Sequence, residues 1–300
     1  MLNGIINIYK ERGFTSHDVV AKLRGVLKQK KIGHTGTLDP EAEGVLPVCL
    51  GKGTRICDML ADRSKSYEAV LLLGRSTDTQ DATGQILASA EVSVTEEQVR
   101  EVLSGFVGDY EQIPPMYSAL KVNGQRLYKL ARAGVEVERK ARKVTIYKLQ
   151  ILEVCLPRVR FAVECSKGTY IRTLCHDAGE RLGCHGCMES LLRTRVGEFL
   201  LEDSRKLSEV ERLRDEGRLD EAVIPVDRMF AELPGLTLPP EAAAFGHNGN
   251  PFRPAQAQPR MEAERVRVYD DRGDFIGIYR YDAAGRIYRP VKMFYERGNT

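Results

Sequence analysis

Residues 31–48 hold the side chains best suited to chemistry. Gly33-His34-Thr35-Gly36 puts two glycines in four residues, a loop that lets a ligand approach the backbone closely. Asp39 follows, and Pro40 biases its backbone to the extended region, so the carboxylate is held at a fixed angle. A carboxylate on a braced loop can serve as base or nucleophile. An aspartate bonding its own turn fits the same residues equally well. Leu38 and Leu46 are suited to docking the loop on a core.

A second cluster invites a metal. Cys184-His185-Gly186-Cys187 is a Cys-x-x-Cys, with Cys175 and His176 one helix upstream. No second pair stands at zinc-finger spacing, so buried thiols at a helix end are the expectation and no metal is assigned. No His precedes a Glu by two residues, which removes zinc-dependent deamination. Gly51-Lys52-Gly53-Thr54 lacks the glycine that a phosphate loop needs five residues earlier, where Leu46 stands. The dinucleotide fingerprint, Gly-x-Ser-x-Gly and His-Glu-x-x-His are also missing. Nucleotide-driven, nicotinamide-dependent and serine-hydrolase chemistry have no foothold.

The elements that must position these residues follow from periodicity. Ser16 is suited to cap a helix with Val19, Val20, Leu23 and Leu27 on one face. Thr95 and Gln98 form a capping box ahead of Val99, Val102, Leu103 and Phe106. A third helix is expected over 173–182, stopped by Gly183, and Ser208 with Glu211 is suited to cap a fourth. Residues 67–73, 144–154 and 160–165 are rich in β-branched and aromatic side chains and predict strands. The mixture argues an α+β fold around a largely antiparallel sheet. Residues 233–259 hold six of the 13 prolines and read as a linker with irregular structure. Short strands then follow over 266–269, 275–281 and 287–293, with turns at Asp271-Arg272-Gly273 and Ala283-Ala284-Gly285. A small all-β domain of about 65 residues is expected there.

At 300 residues the chain is one large domain or two ordinary ones. With 42% hydrophobic and 29% charged residues it can bury a core unaided. Its formal charge of +3 is too small to mark a nucleic-acid binder, so a polyanion must be held by local basic surface. No apolar run reaches the roughly 18 residues that span a bilayer. Met1-Leu2-Asn3-Gly4-Ile5-Ile6-Asn7 lacks the charged and apolar regions of an export signal, and seven scattered cysteines read as reduced thiols. A cytoplasmic location without membrane attachment is expected.

Four ordered blocks carry a resemblance. Gly33-His34-Thr35-Gly36-Thr37-Leu38-Asp39-Pro40 with Gly44-Val45-Leu46-Pro47 is the first. Ser66-Tyr67-Glu68-Ala69 leading to Gly74-Arg75-Ser76-Thr77-Asp78-Thr79-Gln80-Asp81-Ala82-Thr83-Gly84 is the second. Gln112-Ile113-Pro114-Pro115-Met116-Tyr117-Ser118-Ala119-Leu120-Lys121 and Cys165-Ser166-Lys167-Gly168-Thr169-Tyr170-Ile171-Arg172-Thr173-Leu174 complete the set. Together they resemble the TruB-type tRNA pseudouridine synthases over residues 4 to 200, and the C-terminal strands resemble the PUA RNA-binding module. Thr37 and Glu41 stand where that family commonly has other small or acidic residues, and the Cys184–Cys187 region is individual to this chain.

The resemblance implies a pseudouridine synthase fold over 1–230, with a mixed, largely antiparallel central sheet, and a linker plus PUA-like domain over 231–300. It implies an isomerase acting on uridine 55 in the T-loop of tRNA, the base flipped into a pocket, without cofactor or metal. Asp39 matches the essential aspartate, Arg172 its paired arginine and Tyr67 the active-site tyrosine. His34, Leu191 and Lys121 match substrate-binding positions. Lys22, Arg24, Lys28, Lys30 and Lys31 form one basic run, and Arg139, Lys140, Arg142 and Lys143 another. Such runs are ordinarily solvated faces; with RNA as substrate at least one is expected to meet phosphate. The expected partner is the T-arm of tRNA, bound by a monomer. A tRNA-binding folding chaperone acting independently of catalysis is the alternative, and it can coexist with the chemistry.

Overall fold

The structure, a computed structural model, describes residues 1–122 and 124–295. The chain opens with strand β1 (Gly4–Lys10) and helix α1 (Ser16–Leu27), then β2 (Ile32–His34) and β3 (Glu43–Leu50). A short 3-10 turn leads to α2 (Cys57–Ala61), followed by β4 (Lys65–Leu73) and the hairpin of β5 (Arg75–Thr77) and β6 (Ile86–Ser89). Next come α3 (Glu96–Ser104), β7 (Gly108–Gln112), the small hairpin β8 (Lys121–Val122) and β9 (Gln125–Arg126), and α4 (Leu127–Arg132). The long pair β10 (Arg142–Cys155) and β11 (Arg158–Cys165) precedes α5 (Ile171–Arg181), β12 (Gly186–Val196), β13 (Phe199–Leu200) and α6 (Leu207–Asp215).

Nine strands make one sheet in the order β1-β3-β12-β4-β11-β10-β7, with β2 added beside β3 and β13 beside β12. Neighbours run antiparallel except at one seam, where β3 and β12 lie parallel with Leu192 opposite Glu43 and Arg193 opposite Gly44. The seam separates two apolar clusters. Val19, Val20 and Leu23 of α1 cover β1 and β3, while Leu174, Cys175 and Ala178 of α5 pack with β4 and β11. Strand β3 reads Glu-Gly-Val-Leu-Pro-Val-Cys-Leu and is buried along nearly its whole length because both faces are covered. The expected mixed α+β sheet is present.

Local signals were read with differing success. The Thr95–Gln98 capping box forms as predicted. For α1 the cap is Thr15 rather than Ser16, with Asp18 closing a reciprocal box. Ser16 is instead buried against the 35–42 loop. Helix α5 starts at Ile171, two residues before the expected position, with no side-chain cap at Tyr170. Ser208 does not cap α6, because Leu207, Val210 and Leu213 form its buried face and draw the helix start to Leu207.

Residues 233–259, expected to be a linker, contribute β14 (Gly235–Thr237) and α7 (Pro240–His247). Leu236, Leu238, Ala242, Ala243, Phe252 and Ala257 from this stretch are core residues of the C-terminal unit. Their spacing has no helical or strand period; tertiary packing orders them. Strand β14 joins β15 (Arg265–Tyr269), β16 (Phe275–Asp282) and β17 (Ile287–Met293) in a four-stranded sheet. In the last hairpin the positive φ falls on Arg286 (+49°), not on Gly285. Phe275 and Phe294 of this unit pack on Phe230, with ring centroids 6.4 and 6.1 Å away. No helix among the described residues is long and apolar enough to cross a membrane.

At the parallel seam Gly44 has φ +104°, and a Cβ there would lie 2.2 Å from the Arg193 carbonyl oxygen. Gly44→Ala should therefore cost about 2–4 kcal/mol from left-handed strain plus backbone overlap. The readout is the urea midpoint; a midpoint equal to that of the native chain would contradict this account of the seam.

Candidate active site

The loop 35–42 connects β2 to β3 and is held from three directions. Ser16 Oγ accepts from the Leu38 amide at 2.9 Å, and Leu38 itself is 4% exposed in the apolar cluster around β4. Lys10, at the end of β1, is fully buried and sends its ammonium hydrogens to the carbonyls of Ala42 (2.5 Å), Pro40 (3.0 Å) and Glu11 (3.2 Å). Three donors meet three acceptors, so the charge is satisfied although burial pushes this lysine down to about 8. Thr35 donates its amide to Pro47 O at 3.2 Å. Between these anchors Asp39 is carried to a defined point.

Arg172 meets it there. The Arg172 side chain is 5% exposed; its Nε lies 2.9 Å from Asp39 Oδ2 and its Nη2 donates to Asp39 Oδ1 at 3.3 Å, a two-point grip. The remaining donors reach Thr79 O (2.9 Å) and Tyr117 O (2.8 Å). Asp81 Oδ2 stands 3.6 Å from Nη1. One guanidinium thus draws together all four sequence blocks. Helix α5 can place it because Gly179 lets the helix lie on β12: a Cβ at that position would be 2.1 Å from the Gly186 amide nitrogen.

Burial raises the Asp39 carboxyl above the ordinary aspartate range, with Arg172 pulling it back and the nearby Asp81 adding to the rise. About a third of the side chain (36%) stays reachable by solvent, so Asp39 is set into the protein yet open on one side. Tyr67 of β4 is 7% exposed and its phenol is pushed up to about 12 by burial. It lies directly across from Arg193 of β12. Leu191 is two residues earlier on the same strand and shares an apolar cluster with Leu38 and Tyr67. His34 is half-buried at the end of β2; burial lowers its affinity for a proton, and Nδ1 accepts from the Gly36 amide at 3.3 Å. It is a neutral imidazole plane beside the loop.

Lys121 lies apart from this cluster, exposed on the β8–β9 hairpin with Gln125, Arg126 and Lys129. The hairpin is nevertheless tied to the site, since Tyr128 N bonds Ser118 O and the adjacent Tyr117 supplies a carbonyl to Arg172. In the second basic run Lys143 pairs with Asp109 at 2.7 Å and Arg139 with Glu136 at 3.2 Å, while exposed Lys140 and Arg142 have no carboxylate partner among the described residues. In the first run Lys22 lies 4.5 Å over the Phe14 ring and Arg24 donates to Lys30 O.

Cys175, Cys184 and Cys187 are buried thiols whose ionisation burial opposes. No group of three or more metal-ligating side chains occurs among the described residues. Sequence reasoning gave no place at the site to Lys10, Ser16, Asp81 or Arg193. For Asp81 a signal existed: it lies in a run of Thr and Asp, where its Oδ1 accepts from Thr79 Oγ1 (2.8 Å), Thr83 N (3.0 Å) and Thr83 Oγ1 (2.6 Å).

Comparison with known proteins fits this geometry. Residues 24–171 match the family described as TruB family pseudouridylate synthase (N terminal domain). Residues 172–231 match the tRNA pseudouridylate synthase B C-terminal domain, and 234–291 match pseudouridine synthase II TruB, C-terminal. The chain is 52% identical over 306 residues to tRNA pseudouridine synthase B of Lachnoclostridium phytofermentans, covering 98% of this chain and 100% of the relative. It is 46% identical to the protein of the same name in Stutzerimonas stutzeri, over 95% and 94% of the two chains. Among solved structures it is similar to a chain of a Cbf5-Nop10-Gar1 complex, with TM-score 0.71 and 27% identity over 98% of this chain and 85% of that one. A chain of an H/ACA RNP bound to a substrate RNA containing 2′-deoxyuridine gives TM-score 0.70 and 25% identity, over 98% and 86%.

Arg172→Met removes the cation facing two carboxylates and orphans two carbonyls. A loss of about 2–4 kcal/mol in urea unfolding is expected, the range for breaking a buried pair discounted for the open side of Asp39. A loss below about 0.5 kcal/mol, the ordinary surface range, would show that the guanidinium is dispensable to the pocket.

Proposed function

The chain belongs to the TruB family of pseudouridine synthases, and from that premise we propose that it converts uridine 55 in the T-loop of tRNA to pseudouridine, with Asp39 as the essential carboxylate. The single observation that carries this reading is the two-point Arg172–Asp39 pair, its arginine buried and its carboxylate open to solvent on one side. The relatives named tRNA pseudouridine synthase B support tRNA as the substrate.

In the reaction the N1–C1′ bond breaks, the uracil turns, C5 joins C1′, C5 loses its proton and N1 gains one. No electron pair or group passes to a second molecule, so the reaction as proposed calls on no cofactor. A carboxylate beside the sugar can attack C1′ or C6 or take the proton on C2′, and every one of these needs it ionised. Arg172 favours that charged form against the opposing effect of burial. Tyr67 offers its ring as a stacking face and its oxygen as the acceptor for the C5 proton. Leu191 and Leu38 supply apolar wall. His34, neutral and planar, fills the place of the flipped base in the RNA stack.

Lys121 and its hairpin, with Lys140 and Arg142, are proposed to bind phosphates of the T-arm. The whole constellation comes from one chain, so a monomer suffices. The proposed location is the cytoplasm, where tRNA is modified and where seven free thiols are at home.

Asp39→Asn keeps shape and removes the charge. On a T-arm stem-loop it is expected to lower pseudouridine formation by at least about 10³-fold, while RNA affinity stays within a few-fold; an active variant would refute the carboxylate role. Because the Asp39 carboxyl is raised, its ionised fraction falls as pH drops through a value above the ordinary aspartate range. The acid limb of kcat/KM against pH should therefore lie above that range. A rate that already falls above the region where a free aspartate titrates, and keeps falling through it, is the result expected; a limb within the ordinary range would contradict the burial argument.

A further inference from the structure

Arg193 is the largest fully buried side chain among the described residues, and the chemistry above gives it no task. Its Nε donates to Val45 O at 2.6 Å across the parallel seam, while Nη2 is enclosed without a partner. Among the described residues no carboxylate pairs with it. Its charged neighbours are cations, Lys65 and Lys10, both of which feel its repulsion, and it further disfavours a proton on His34. An enclosed guanidinium without an anion costs several kcal/mol, more than one carbonyl contact returns. The group its charge does meet is the Tyr67 phenol, its register partner on β4, with which it is in side-chain contact.

We propose that Arg193 is a positioning residue of the isomerisation, which stabilises negative charge on the Tyr67 oxygen at the step where the C5 proton leaves. The inference rests on the reading of Tyr67 as the acceptor of that proton. After C5 has joined C1′, C5 carries both the sugar and its original hydrogen. Tyr67 enters as phenolate, its own proton having gone to water. It takes the hydrogen from C5 as a proton, and the C5–H pair closes the C5=C6 bond. The former C6=N1 pair goes to N1, which takes a proton from water, and Tyr67 is left a neutral phenol.

Burial alone works against the phenolate, and the other groups acting on Tyr67 are Cys165 and Asp39, both of which oppose it. Arg193 is the cation that works in its favour. A guanidinium fixed in contact with that oxygen before the reaction begins is the arrangement by which preorganised charge accelerates a step without reorganising.

The test is single-turnover conversion of a T-arm RNA carrying protium or deuterium at C5 of the target uridine, by the full chain and its variants. Arg193→Met is expected to slow conversion by about tenfold or more, equivalent to one unit of phenol acidity, with RNA affinity unchanged. It should also unmask a primary isotope effect at C5 that the native chain does not show. Arg193→Lys keeps the cation and the burial of its stem, supplies the readout should the methionine variant fail to fold, and is expected to show intermediate rate and isotope effect. A slow Arg193→Met or Arg193→Lys protein without an isotope effect would assign Arg193 to the seam alone and overturn the proposal. Full speed in both, with Tyr67→Phe inactive, would overturn it while leaving the reading of Tyr67 intact. A Tyr67→Phe protein of normal rate would remove that reading and the proposal with it.

Discussion

A carboxylate that must stay charged away from bulk water needs a cation held within contact distance, and the architecture is organised by that requirement. Burial acts on Asp39 in the direction of protonation, and Arg172 acts against it. The arginine meets the need only because it is itself immobilised, with each face of its fork assigned to a carboxylate or a carbonyl. Supplying those acceptors requires the loop after β2, the turn after β5 and the segment before β8 to converge on the first turn of α5. The sheet order serves this convergence: the parallel seam brings the start of β3 beside β12, and β12 in turn lies beside β4 with Tyr67.

The seam also explains why cations crowd the floor. Lys10, Lys65 and Arg193 are buried within the same region, two of them satisfied by backbone carbonyls: Lys10 by Ala42, Pro40 and Glu11, Lys65 by Ala61 and Arg63. A lysine that caps carbonyls holds a loop in place while raising the local potential. The floor is thus both a clamp for the 35–42 loop and a positive background for any anion formed above it. Asp81 adds the opposing charge that keeps Arg172 from being paired to a single partner.

Legibility in the sequence followed the range of the interaction. Features set by a few adjacent residues could be read: the Thr95–Gln98 box, the strands around 67–73 and 144–154, and the Gly273 turn at φ +84°. Thr15 and Ser16 show the limit of that scale, since both are good caps and only the long-range bond from Leu38 decides which is free to cap. Ordered motifs carried the reading to Asp39, Tyr67 and Arg172 and to the pairing of Asp39 with Arg172, but the other partners of those residues were hidden. That Arg193 faces Tyr67 depends on strand register across 125 intervening positions, and that 233–259 folds depends on a core formed by strands still to come. Neither leaves a periodic trace.

The bonds of Arg172 to Asp39, Thr79 and Tyr117 close sequence separations of 133, 93 and 55 residues. Loops of that size form late in folding, and the guanidinium is the last of these groups to leave the ribosome. Until it emerges, the growing polypeptide carries its acid unmatched and its loop unbraced. With Asp39 in the proposed role, the nascent protein would be silent towards the RNA around it during synthesis until those bonds close.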